Sequence, residues 1–202
     1  MQRSELRIII FGFAGAGKST TAEAIGKHYG LRIVHPSGIM RMIAAQQTVD
    51  TEKAPYGRGF WETPRGIALF KSRLNEEAPL DLIADTYLIE ELEKGGVAMD
   101  SWNMPWLYPG GIKIYLKVLQ AERIQRVSRR STIDLSSAQN IVDMKDNETH
   151  TLFKRLYDID IKHDHDVFDL VVDASEQTKK EVVERLISYI DSRLSSHENA
   201  QI

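Results

Sequence analysis

Cysteine is missing from this 202-residue chain. Disulfide frameworks and thiolate metal centres are excluded with it, and the composition suits a reducing compartment. An excess of positive charge is missing too, since 26 Lys and Arg stand against 29 Asp and Glu, a formal net charge of −3. No global field therefore draws the chain to nucleic acid or to an anionic membrane surface, and any bound anion must be gripped locally. Long hydrophobic runs are also lacking. The most apolar stretch, LRIIIFGFAGAG, is broken by glycines and leads straight into Lys18, so it reads as a buried strand and not as a signal-peptide core. Nothing approaches the roughly 20 apolar residues of a bilayer crossing. There is no internal repeat and no low-complexity tract. These absences predict a cytoplasmic protein with neither nucleic acid nor membrane as partner, and a monomer is expected.

What is present is an alternation of strand and helix patterns. A continuous β-branched run at 6–11 precedes a helical stretch at 18–29 that Gly30 ends, and a short strand at 31–35 follows. Ser37 is expected to cap a helix through about Gln47, and Pro55, Gly57 and Gly59 mark 48–61 as a connection. Helices are expected at 63–76 and 80–94, a strand ending at Asp100, and another strand at 112–118. A basic helix at 120–130, a break at 131–136 and a polar helix to Tyr157 come next. FDLVVDAS supplies the last strand, a helix covers 176–194, and a polar tail closes the chain. This order predicts an α/β fold, three αβα layers around a parallel sheet, with ligands at the carboxyl ends of the strands. One domain is expected over 1–202, with an acceptor-binding insertion at about 37–95, a lid at about 126–150 and a tail at 195–202.

Gly12, Gly15, Gly17, Lys18 and Ser19 fit G-x-x-x-x-G-K-[ST], the phosphate-binding loop of nucleoside triphosphatases. Glycines let successive backbone N–H groups curl around phosphate oxygens, and the helix behind them adds its positive end. Gly12, Gly15, Ala16, Gly17, Lys18, Ser19 and Thr20 are therefore expected to bind ATP, although the spacing leaves GTP open. Lys18 would reach the β and γ phosphates and Ser19 would bind Mg2+. Asp100, at the head of a strand, could serve the same magnesium or orient an acceptor.

No N-K-x-D guanine-reading motif is present. A kinase needs an acceptor site and a device that excludes water. HPSGIMRMIA places Ser37, Gly38 and Arg41 near a helix start, suited to a second anion. RIQRVSRRSTID places Arg126, Arg129 and Arg130 at a helix end before a flexible break, suited to closing over a transferring phosphoryl group.

The glycine loop, SGIMR, the strand ending at Asp100, the arginine-rich segment and the closing YDIDIKHDHDVFDLVVDAS together resemble the nucleoside monophosphate kinases, and most of all the short cytidylate kinases of archaeal type. The resemblance spans nearly the whole chain. It implies transfer of the ATP γ-phosphate to CMP or dCMP, with Arg41 on the acceptor phosphate and Arg126, Arg129 and Arg130 in a lid. Two departures stand out. Where such kinases carry a Gly-Arg pair after the third strand, this chain reads DSWNMPWL, and the arginine run before Y-x-I-D-I is thinned to KDNETHTLFKR, with Lys145 left to take one of its roles.

Trp102 and Trp106 could stack on a base or pack the floor of the cleft. His163 and His165 read as a solvated connection more readily than as a metal site. Asp81 and Asp85, one helical turn apart, read most simply as an exposed acidic face, or as partners of Arg41. Two other functions fit the residues: a P-loop kinase of a small hydroxyl-bearing metabolite, with Asp100 orienting the hydroxyl, or a catalytically silent ATP-binding regulator.

Overall fold

Ile8, Ile9, Ile10 and Phe11 are wholly buried in succession, as a strand covered on both faces requires. They lie on the first strand of the computed structural model, which describes residues 3–47, 60–73 and 80–199. In chain order the elements are β1 (Arg7–Phe11), α1 (Lys18–Tyr29), β2 (Arg32–Val34), α2 (Pro36–Gln47), α3 (Pro64–Ser72), α4 (Leu80–Glu93), β3 (Val97–Asp100), α5 (Met104–Leu107), β4 (Ile112–Lys117), α6 (Gln120–Ser131), α7 (Leu135–Tyr157), β5 (Leu170–Asp173) and α8 (Lys179–Asn199). Short 3-10 turns occupy Arg3–Glu5 and Phe60–Glu62. Among the described residues no helix is long and apolar enough to cross a membrane.

The strands form one sheet in the order β2-β3-β1-β4-β5, and every pair is parallel. The registers Ile10↔Asp100 and Val34↔Met99 bring the heads of β1, β2 and β3 to one edge. The α/β expectation holds.

Two compact units are distinguished by their internal contacts. The first comprises Met1–His35, Leu88–Val118 and Asp166–Ile202. Its core sets Ile8, Ile10, Ile114, Leu116 and Val172 of the sheet against Ala22 and Ile25 of α1 and Val182, Leu186 and Ile190 of α8. Each fully buried isoleucine stabilises this packing by about 2 kcal/mol. The side chain of Phe11 alternates to the other face, where Trp106, Tyr115 and Phe168 meet it with ring centroids 5.1, 5.0 and 5.3 Å away.

The second unit, Pro36–Tyr87 and Leu119–His165, is helical over its described elements. Val127 of α6 packs with Ala138 and Val142 of α7, while Met40, Leu80 and Ala84 form a separate apolar cluster with Trp61 and Leu69. Thr63 caps α3, its hydroxyl accepting from the Gly66 N–H at 3.1 Å.

Several elements differ from expectation, among them α2, α5 and α8. α2 opens at Pro36, whose fixed φ suits a first helical position, so Ser37 lies inside the first turn instead of capping it. The short α5 falls in DSWNMPWL, where four residues are too few to show a period; the Ser101 hydroxyl accepts from the Met104 N–H at 3.2 Å at its start. α8 continues through 195–199, past the Leu194 end expected from its pattern. The connection expected at 48–61 lies outside the described residues as far as 59, as do 74–76 of the helix expected at 63–76.

Candidate active site

The glycine loop leaves the head of the central strand and enters α1. Gly15 and Gly17 adopt φ of 81° and 97°, a left-handed conformation that glycine reaches without strain. Gly12 is required for a different reason. A Cβ there would lie 2.9 Å from the Leu116 carbonyl oxygen and 2.9 Å from the Ala16 Cβ. The Ala16 N–H closes a turn on the Phe13 carbonyl at 3.0 Å. Ser19 and Thr20 sit in the opening turn of α1, which contains no acidic residue and whose backbone N–H groups suit an outside anion.

Lys18 curls back over the loop. Its Nζ donates to the Gly12 carbonyl at 2.5 Å and to the Phe13 carbonyl at 3.3 Å, and stands 4.3 Å from the centroid of the Trp102 ring. Trp102 packs edge-on against Phe11 and Phe13. The ring offered by the sequence to a substrate base therefore carries the loop lysine on its face, a cation–π contact. Trp106 packs among Phe11 and Phe168.

Asp100 is 8% exposed at the head of β3, and a carboxylate so buried needs partners. The Ser19 hydroxyl donates to its Oδ2 at 2.7 Å, and the His35 Nδ1 lies 2.5 Å from its Oδ1. His35 was missed by sequence reasoning. The available signal was its place at the end of β2, one step beyond Val34↔Met99 and so beside Asp100.

Ser19 and Asp100 present hard oxygen donors converging to 2.7 Å at the foot of the phosphate loop. That donor set suits magnesium, which takes one or two protein oxygens and completes its shell with water and substrate phosphates.

In the helical unit, Ser37 and Gly38 lie half-buried in the first turn of α2; Arg41 belongs to the same helix, and its side chain lies outside the described residues. Arg126, Arg129 and Arg130 share α6. Arg129 bonds the Gln125 side chain at 2.8 Å and Arg130 donates to Glu62 Oε1 at 3.0 Å. Buried Lys145 donates to the same Glu62 oxygen. Glu62 thus joins two residues that sequence reasoning chose, although it was not itself chosen, having no motif around it. Burial pushes the Lys145 ammonium below its usual range and the Glu62 charge opposes that shift.

Asp81 and Asp85 correct an expectation. Both are buried. Arg73 grips Asp81 through Nε at 2.8 Å and Nη2 at 2.5 Å, and the Tyr157 hydroxyl donates to Asp85. Burial, with Asp85 adding to it, raises the Tyr157 phenol well above its ordinary value. An exposed acidic face would have needed solvent at these two positions; the inward face of α4 provides none. His163 pairs with Asp160 at 2.9 Å and His165 approaches the Ile161 carbonyl at 3.2 Å.

A parallel sheet in this strand order, with a G-x-x-x-x-G-K-S loop on its central strand and a carboxylate facing the loop serine, defines an enzyme of the P-loop class. The chain belongs to the cytidylate kinase-like family, which matches residues 7–176, and is a phosphotransferase of that family. The cytidylate kinase of Aeropyrum pernix is 31% identical over 172 residues, covering 83% of this chain and 88% of that protein. The cytidylate kinase of Methanopyrus kandleri is 27% identical over 199 residues, covering 93% and 94%. Among solved structures, a shikimate kinase from Bacteroides thetaiotaomicron superposes with a TM-score of 0.58 at 15% identity, covering 92% of this chain and 98% of that one, a likeness of fold.

Proposed function

We propose that this protein transfers the γ-phosphate of ATP to CMP or dCMP, as a cytoplasmic monomer acting on small-molecule nucleotides. The observation that supports this most is the pairing of Ser19 with Asp100 at the phosphate loop of a chain matched to the family over residues 7–176.

In this reading the loop N–H groups from Gly12 to Thr20 cradle the ATP phosphates, and Lys18 leaves its carbonyl partners to reach the β and γ oxygens. Ser19 and Asp100 hold Mg2+, which when bound neutralises charge on those oxygens. Arg41, with Ser37 and Gly38, fixes the acceptor phosphate, and Lys145 and Trp102 complete the acceptor side. Arg126, Arg129 and Arg130 stabilise charge on the transferring group. An acceptor phosphate oxygen attacks the γ-phosphorus in line as the bond to the ADP oxygen breaks. That oxygen is already a competent nucleophile, so positioning and charge supply the catalysis.

The test is ADP release from ATP and magnesium with CMP, dCMP, UMP, AMP, GMP and dTMP offered separately, beside a blank without acceptor. Release confined to CMP and dCMP is expected. Release with none of them, despite tight ATP binding, would overturn the acceptor assignment and direct attention to hydroxyl-bearing metabolites.

A further inference from the structure

We propose that His35 is a positioning residue for Asp100, locking the carboxylate so that Oδ2 is presented beside the Ser19 hydroxyl for divalent-cation binding. The inference rests on the reading above that Ser19 and Asp100 hold magnesium.

The geometry supports a lock in two ways. The two carboxylate oxygens of Asp100 take different partners, Oδ2 the Ser19 hydroxyl at 2.7 Å and Oδ1 the His35 Nδ1 at 2.5 Å. A carboxylate held at both oxygens cannot rotate without losing one of them. Since an ionised carboxylate only accepts, the proton belongs on Nδ1, which fixes the tautomer of the ring. On the far side of the imidazole, Nε2 stands 3.8 Å from Glu23 Oε1 on α1, beyond hydrogen-bond range, so the orientation of the ring rests on its Nδ1 contact. Finally, Pro36 follows His35, and a residue before proline is held to extended backbone. His35 approaches Asp100 from a restrained main chain.

A partner that orients a metal-binding carboxylate is typically worth about 10- to 100-fold in metal affinity. The experiment measures ADP binding by titration calorimetry, once with magnesium and once with EDTA, for the wild type, His35→Leu, His35→Asn, His35→Gln and Asp100→Asn. His35→Leu is expected to weaken binding with magnesium by about 10-fold or more while leaving binding in EDTA within about twofold. His35→Asn keeps an N–H near the position of Nδ1 and is expected to recover most of the loss; His35→Gln places its N–H near Nε2 and is not. Equal losses with magnesium and with EDTA, or no loss in either, would overturn the inference. If His35→Leu does not fold, the Asn and Gln pair decides, and identical behaviour of the two counts against the lock. Asp100→Asn separates the positioning role of His35 from the metal site itself. A magnesium-specific loss there without one in His35→Leu removes only the positioning role, whereas no magnesium-specific loss in Asp100→Asn removes the metal reading beneath it.

Discussion

Lysine is rarely buried without a partner, and Lys145 is 8% exposed. Glu62 makes this tolerable by accepting from it and, on the same oxygen, from Arg130. Removing one member of a buried ion pair leaves an uncompensated charge, so Glu62→Ala is expected to destabilise the fold by about 3 kcal/mol in a denaturant titration. The sign of the pH dependence follows from the lysine. Burial already lowers its folded-state pKa, and the variant also loses the carboxylate that had raised it. Between the folded value and the unfolded value near 10.4 the unfolded chain binds more protons, so stability rises with pH across that window. The deficit of Glu62→Ala should therefore shrink between pH 7 and pH 10, and a constant deficit would exclude the charge explanation.

At the scale of elements, Gly12 sets how closely the phosphate loop passes β4. The pairing Phe11↔Tyr115 holds β4 in place, so the Cβ of Gly12→Ala must push the loop off the Leu116 carbonyl. A displacement approaching 1 Å in a positioned site costs about 100-fold in turnover, and local overpacking costs about 1–3 kcal/mol. Turnover and melting temperature of Gly12→Ala are expected to separate accordingly, with activity lost well before the fold. Asp134 governs another terminus, capping α7 through the Ser137 N–H at 2.9 Å and the Ser137 hydroxyl at 2.6 Å. Those bonds, the hydroxyl's foremost, hold its carboxyl below the ordinary range. A lowered carboxylate pKa contributes stability above the unfolded value near 3.9 and loses it as pH falls through the folded value. Asp134→Ala should accordingly melt below the wild type at pH 7, with the gap narrowing as pH drops below about 4.

For the whole molecule, the apolar core and the groups that move the phosphoryl are different residues. The core is apolar and built from Ile8, Ile10, Ile25, Leu186 and Ile190, none of which touches phosphate chemistry in the proposed mechanism. Lys18 contributes a cation held to its own loop and over one ring. Lys18→Ala should keep the wild-type thermal unfolding profile and lose phosphoryl transfer by about 100-fold or more, since one electrostatic contact to a developing charge is worth that much. Unchanged turnover in that variant would sink the proposed mechanism.

Features that depend on near neighbours can be read from the chain alone. The phosphate loop is legible because its chemistry needs glycines and a lysine at fixed short spacing. The parallel sheet is legible because buried β-branched runs alternate with helical periods, and Asp100 stood out by closing such a run. The pairings that span the chain follow from the fold and not from any local pattern. His35 meets Asp100 across 65 residues, Lys145 meets Glu62 across 83 and Tyr157 meets Asp85 across 72. Such partners are set by strand order, register and helix packing, which no local pattern records. Asp81 and Asp85 show the consequence: helical spacing placed them on one face, and the packing of Arg73 and Tyr157 turned that face inward.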